Sequence, residues 1–358
     1  MYKEINLANM NVLAVILGVI ANSIYNIGLT LKKKGACTLP DIEENTVWQN
    51  IKNFSKCKIW VIGFFMTVFQ WFILQAAIVI GSLSTVAPTM GIGMIVLVIF
   101  SWFYLKEKIS VAEIIGIVAI IAATVALNVV GPIADRDNLT ITDINYLYKE
   151  TNAIIFMCVF VAIIATFIII SYGRKNKSSG PLLAIASGAG YAMATIFAKG
   201  VISSIFNSET TFVEGSLKSW MWWVYLLLMC LGYLVAFTSQ QMALQKGRAI
   251  VVSPILDEIN LFTQVMAGII IFNDWQDLGL EPWERSVKSI AIIVIMVGVA
   301  ILSFYSAIEE AIKKRVNGNA ETASEEIVLD VEADDDESLE IAPADQEIVE
   351  TENTIRFC

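Results

Sequence analysis

Long apolar stretches separated by short polar ones dominate the chain. Scanned with a window of about 19 residues, apolar runs lie near 10–31, 59–80, 84–105, 111–130, 152–172, 181–205, 220–241, 249–272 and 287–307. Each is long enough to cross a hydrocarbon core of about 30 Å as a helix. The pattern predicts an all-α, polytopic membrane protein with nine transmembrane helices. The first run carries Asn11, Asn22 and Asn26, and its positive charge follows the apolar stretch. It therefore reads as a retained span and not as a cleaved leader.

Polar positions set the orientation. One alternate set of connections holds Lys32, Lys33, Lys34, Lys52, Lys56 and Lys58; Lys106 and Lys108; Arg174, Lys175 and Lys177; Lys246 and Arg248; and Lys313, Lys314 and Arg315. The other set holds Lys3, Arg136, Lys149, Lys218, Arg285 and Lys288. Cytoplasmic connections carry the excess of basic residues. The expectation is an outside N-terminus and a cytoplasmic C-terminus in a plasma or cell membrane. Trp60, Trp102 and Tyr104 then mark inner span ends, and Trp220, Trp222, Trp223, Trp275 and Trp283 mark outer ends, as interfacial aromatics do.

Composition agrees. The chain has 358 residues, of which 56% are hydrophobic and 16% charged, with mean hydropathy +0.67. Soluble chains carry about 25% charge. The net charge of −10 comes from one end: residues 316–358 hold 14 Asp and Glu against one Arg. The expected organisation is a transmembrane domain over 1–315 and an acidic, disordered, cytoplasmic tail over 316–358. The tail reads as a solvated segment, with a weak divalent-cation buffer as the sharper alternative. No basic patch points to nucleic acid. The five cysteines form no CxxC pair, and there is no histidine. His-based metal sites and His-assisted nucleophiles are therefore ruled out, no cofactor is expected, and the chain reads as a non-enzyme. The sequon Asn138-Leu139-Thr140 falls in an outer loop.

Two spans look like copies of each other. VAPTMGIGMIVLVIFSWFYLKEK from Val86 and VSPILDEINLFTQVMAGIIIFND from Val252 align at Pro88 and Pro254. AVILGVIANSIYNIG and AIASGAGYAMATIFA share small-residue spacing in the first and sixth spans. This predicts an inverted repeat of spans 1–4 and 6–9 with span 5 as connector, an arrangement common in transporters. Pro88 and Pro254 either kink their helices or free carbonyls toward a cavity.

Several phrases resemble one family. LTLKKKGA, STVAPTMG, LKEKIS, NVVGP and SYGRKNKSSGPL look like the NIPA-type magnesium transporters, within the drug/metabolite transporter superfamily of EamA-like folds. The resemblance covers residues 10–307 and implies nine spans in the same orientation. Lys199, in FAKGV, matches a family lysine. The chain departs from the family pattern at Gln70-Trp71, where an acidic Gly-Glu pair is usual, and at Asp257-Glu258, where aromatics are usual.

Those acids are the main functional candidates. Asp257 and Glu258 sit about 12–15 Å in from one end of span 8, at a rise of 1.5 Å per residue. Charges at that depth are costly and functional by default. Asp257, Asn260 and Gln264 share one helix face, with Ser253 extending it. Asn22, with Ser23 and Asn26 near it, lies about 18 Å into span 1, and Gln70 about 16 Å into span 2. Spans 1, 2 and 8 are expected to line one cavity. Carboxylates, amide oxygens and retained water suit a hard cation, and Asp257 and Glu258 are the candidate metal ligands. The alternative is that these groups pair with one another and glue helices together. Lys199 either bridges to Asp257 or snorkels outward. Glu107 and Glu113 read as capping and charge-pairing groups.

The expected function is transport of a small solute, foremost a divalent cation such as Mg2+. A proton-coupled exporter of a small metabolite is the alternative, and a receptor, scaffold or intramembrane enzyme is a distant third. The expected partners are the transported ion or metabolite and the lipid bilayer, with a homodimer left open.

Overall fold

Inside hydrocarbon every backbone amide needs a partner within its own segment or a closed barrel. The computed structural model describes residues 2–81, 86, 89–130, 140–173, 179–205, 217–272, 280–305 and 308, and every regular element among them is helical. In chain order these are α1 Tyr2–Cys37, α2 Val47–Lys56, α3 Lys58–Gly81, α4 Thr89–Phe100, α5 Val111–Val129, α6 Ile141–Lys149, α7 Thr151–Gly173, α8 Gly180–Ile205, α9 Trp220–Lys246 and α10 Ala249–Ile270. The last, α11, is Pro282–Tyr305.

Among the described residues, six helices are long and apolar enough to cross a bilayer: α1, α7, α8, α9, α10 and α11. They carry the expected runs near 10–31, 152–172, 181–205, 220–241, 249–272 and 287–307. The run at 59–80 falls on α3, which meets α2 at a 91° bend. The runs at 84–105 and 111–130 fall on the shorter apolar helices Thr89–Leu105 and Val111–Leu127. Pro88, the sequon's Asn138 and the tail at 316–358 lie outside the described residues.

The first helix differs from expectation. It continues past residue 31 to Cys37, so the KKK cluster is helical and Lys32 and Lys33 are buried. Lysine is a good helix former. Gly35 also lets α1 press directly on Trp60, where a Cβ would stand 2.6 Å from the indole-bearing Cβ.

Small residues bring the helices together, as they do in membranes. A Cβ on Gly63 would stand 2.6 Å from the Gly28 carbonyl oxygen, which fixes the α1–α3 contact. Gly188 on α8 lies directly against the Leu256 carbonyl of α10. The α8–α9 seam is lined by Gly190 against Ala236 and Gly232 against Ala194. These seams make α8 the most enclosed of the six long helices. One large core cluster joins Met94, Ile120, Leu183, Met242, Ile255 and Leu302, tying α4, α5, α8, α9, α10 and α11 around α10. Lipid-type apolar side chains such as Phe65, Phe69, Ile155 and Ile293 face outward.

Candidate substrate site around Asp257

The helix that carries both acids begins without a side-chain cap of its own. Its first amides are satisfied from elsewhere. The Ala249 N–H donates to Glu107 Oε1 at 2.8 Å and the Ile250 N–H to Oε2 at 3.1 Å. A carboxylate at a helix N-terminus is favoured by the orphan N–H groups and the helix dipole. Glu107 reaches this place because Lys106 adopts a left-handed conformation (φ 56°, ψ 32°) and ends the π-type last turn Ser101–Leu105 that follows α4.

Burial pushes the Glu107 carboxyl above its ordinary value, while the Lys33 charge, the Ile250 and Ala249 amides and Arg248 pull the other way. Beside it, Arg248 pairs with the buried Glu113 and donates to the Lys108 carbonyl at 2.7 Å. Glu113 also closes a capping box with Ser110. Glu107 and Glu113 therefore act as cap and charge partner. A third link on the same side is the ion pair of Lys246 with Glu43 at 2.5 Å.

Eight residues into α10, Asp257 accepts a hydrogen bond from the Tyr25 hydroxyl of α1 at 3.1 Å. Glu258 faces elsewhere: both its oxygens lie within reach of the Thr124 hydroxyl of α5, at 3.2 and 3.1 Å, and its side chain is 1% exposed. Consecutive helical residues diverge by about 100°, so the adjacent acids open onto different neighbours. Asp257, Asn260 and Gln264 each keep part of their surface accessible. Gln264 Nε2 donates to Asn260 Oδ1 at 2.8 Å, which places those two on one face. Pro254 sits inside α10, and the helix runs on through it.

The amides of α1 look another way. Asn22 Nδ2 donates to Thr89 Oγ1 of α4 at 2.8 Å and to the Gly18 carbonyl at 3.0 Å. Asn26 Nδ2 donates to the Asn22 carbonyl at 2.9 Å. Both press against Gly93 of α4. Asn26 Oδ1 and Gln70 Oε1 are buried acceptors without a hydrogen-bond partner among the described residues, as is the Ser253 hydroxyl. Lys199 stands over the Phe272 ring, 4.0 Å from its centroid. Phe272 lies 15 residues beyond Asp257, about 22 Å along the helix. The structure thus brings α1 and α10 together at Asp257, directs Asn22 and Asn26 to α4, and sets Lys199 at the far end.

Sequence reasoning misses Tyr25, the hydrogen-bond partner of Asp257, and the polar group of Lys32, Tyr191 and Gln240 that follows it along α1. Tyr25 reads as an ordinary aromatic of an apolar span, and Lys32 as a loop charge. Tyr191 and Gln240 complete the set: Gln240 Oε1 accepts from Lys32 Nζ at 3.0 Å and from the Tyr191 hydroxyl at 3.2 Å. The available signal is the i, i+7 spacing of Tyr25 and Lys32, which puts them on one stripe of a helix. Among the described residues, no three acid or thiol side chains converge as a closed metal site. What the corner offers is one accessible carboxylate, two phenol hydroxyls and amide oxygens, an open ligand set suited to a partly hydrated species.

Comparisons with known proteins point one way. The family model described as "Magnesium transporter NIPA" matches residues 9–318. A curated Arabidopsis thaliana protein named "Probable magnesium transporter NIPA9" is 26% identical over 285 residues, covering 77% of this chain and 78% of that protein. No solved structure matches the chain.

Proposed function

We propose, from the premise that the chain belongs to the NIPA magnesium transporter family, that it carries magnesium across the bilayer with Asp257 as the membrane-embedded carboxylate that takes the ion. The observation that carries this reading is the Asp257 corner itself. It is a partly accessible carboxylate in the middle of a long apolar helix, held by Tyr25 from the other half of the chain. Magnesium dehydrates reluctantly and needs only one or two carboxylates beside its retained waters. Asn260, Gln264 and the tyrosine hydroxyls supply neutral oxygens along the same route, and the orphan amide oxygens of Asn26 and Gln70 are further acceptors. Glu258, sealed against Thr124 of α5, adds a second negative charge beside the route without opening onto the Asp257 corner.

The transporting unit is residues 1–315, with nine crossings, an outside N-terminus and the basic connections in the cytoplasm. The placement of basic residues in alternate connections supports this topology, and the acidic tail then extends into the cytoplasm.

Purified protein in liposomes loaded with a magnesium-sensitive dye tests the reading. Asp257→Asn is expected to lower the initial uptake rate at least about tenfold, a loss of about 1.4 kcal/mol. Parent-like uptake by that variant would remove Asp257 from the pathway. A second reading, a proton-coupled exporter of a small metabolite, is favoured by the neutral Gln70 in place of the family's acidic pair. Proton-driven counterflow of an organic solute, independent of magnesium, is the result that would establish it.

A further inference from the structure

Lys32 is a buried cation that the transport reading leaves unused. It is 3% exposed, and among the described residues its one hydrogen-bond acceptor is Gln240 Oε1 at 3.0 Å. That oxygen is already shared with the Tyr191 hydroxyl at 3.2 Å and Gln241 Nε2 at 3.3 Å. An ammonium has three donors, and a carbonyl oxygen has two lone pairs. The Phe237 ring, 5.7 Å from Nζ, adds a weak cation–π contact. A buried charge with so thin a shell is costly unless an opposite charge is near.

That opposite charge is Asp257. Helical side chains lean toward the N-terminus of their own helix. The Lys32 stem therefore carries its ammonium back along α1 toward Tyr25, which is one heptad earlier and holds Asp257. Tyr25, which holds Asp257, and Lys32 lie seven residues apart on one stripe of α1, yet Lys32 and Asp257 form no ion pair within 4.0 Å among the described residues. The ammonium is held off by Gln240, and the carboxylate is held toward Tyr25. An oppositely charged pair kept apart by two separate hydrogen bonds leaves room for a cation at the acid.

We propose that Lys32 is the resident counter-charge of Asp257 and competes with the transported cation for it. With no ion bound, the lysine balances the acid. A divalent cation arriving at Asp257 meets the repulsion of Lys32 at short range and low dielectric, so binding is weakened and release is fast. Lys32 acts through Asp257 and is a positioning and affinity-setting residue. The inference deepens the magnesium reading and rests on it for the identity of the competing ion.

The test separates affinity from rate. In liposomes, Lys32→Met is expected to lower the half-saturating magnesium concentration about tenfold and to lower the maximal rate, because release slows. Lys32→Arg, which keeps the charge, moves the half-saturating concentration back toward the parent value. A helix-packing role would instead reduce the rate and leave the half-saturating concentration unchanged, and that result overturns the proposal. A thermal-stability cycle in detergent, with no magnesium added, decides the pairing independently. Lys32→Met combined with Asp257→Asn is expected to be more stable than the two single variants predict by addition. If Lys32→Met alone fails to fold, Asp257→Asn is expected to restore folded protein. Strict additivity, or no restoration, overturns the counter-charge assignment. Should the parent carry no magnesium, the transport reading fails, while the stability cycle still decides whether the two charges are coupled.

Discussion

At the scale of single residues, the acids divide by what surrounds them. Glu107 lies between α4 and α5, and burial raises its carboxyl above the ordinary carboxylate range. A carboxyl raised in the fold contributes stability that is present below the unfolded value of about 4.3 and is lost as pH rises through the folded value. Glu107→Gln removes that titration. The melting temperature of the parent relative to the variant is therefore expected to fall as pH is raised from about 4.5 toward neutrality, as read by thermal unfolding in detergent. A parent–variant difference that is flat with pH would refute the assignment. The role of Glu107 was legible, because a charged group at a span end between two helices has few other uses. Lys32 was not, because lysine after an apolar run is the usual mark of the cytoplasmic side, and nothing local says that the helix continues and buries it.

At the scale of elements, close seams govern the site. Gly188 lets α8 touch the α10 backbone one residue before Asp257: an added Cβ would strike the Leu256 carbonyl and stand 3.0 Å from Ile259 Cβ. Gly188→Val is expected to push α10 off α8 and destabilise the fold by about 1–3 kcal/mol, the range for overpacking. A thermal melt matching the parent would show that the seam yields. The polar face of α10 was legible from its i, i+3, i+7 spacing. The elements that the apolar scan passes over are α2 and α6, which are short and each begin with a capping box, at Thr46–Gln49 and Thr140–Asp143. Ser or Thr with an acid or amide three residues on is a readable signal, but a window tuned to spans does not look for it. On α2, Val47, Trp48 and Ile51 stand exposed while Lys52 and Lys56 supply charge. At 91° to α3, such an amphipathic helix suits the plane of the bilayer surface. Trp48 fluorescence is expected to be quenched by lipids brominated near the headgroup and much less by lipids brominated near the chain ends.

At the scale of the whole molecule, the all-helical, membrane-crossing class was legible because lipid imposes long apolar helices, six of which stand among the described residues. What was not legible is which helices meet. Depth alone groups spans 1, 2 and 8, whereas the polar residues of α1 also reach α8 and α9, where Gln240 accepts from Lys32 and from Tyr191 far along the chain. The proposed topology puts Cys37 and Cys57 on the cytoplasmic side, and both keep part of their surface accessible. A membrane-impermeant maleimide is expected to leave them unlabelled in intact cells and to react only after permeabilisation. Labelling from outside would invert the orientation.

The grip of Glu107 on α10 has a mechanical corollary. Both oxygens of one carboxylate are committed to the first two amides of the helix that holds Asp257. That helix cannot tilt away from α4 while both bonds persist. Parting the bundle on this flank and uncapping α10 are consequently the same motion, and the acid behaves as a tether whose two strands must be unhooked together.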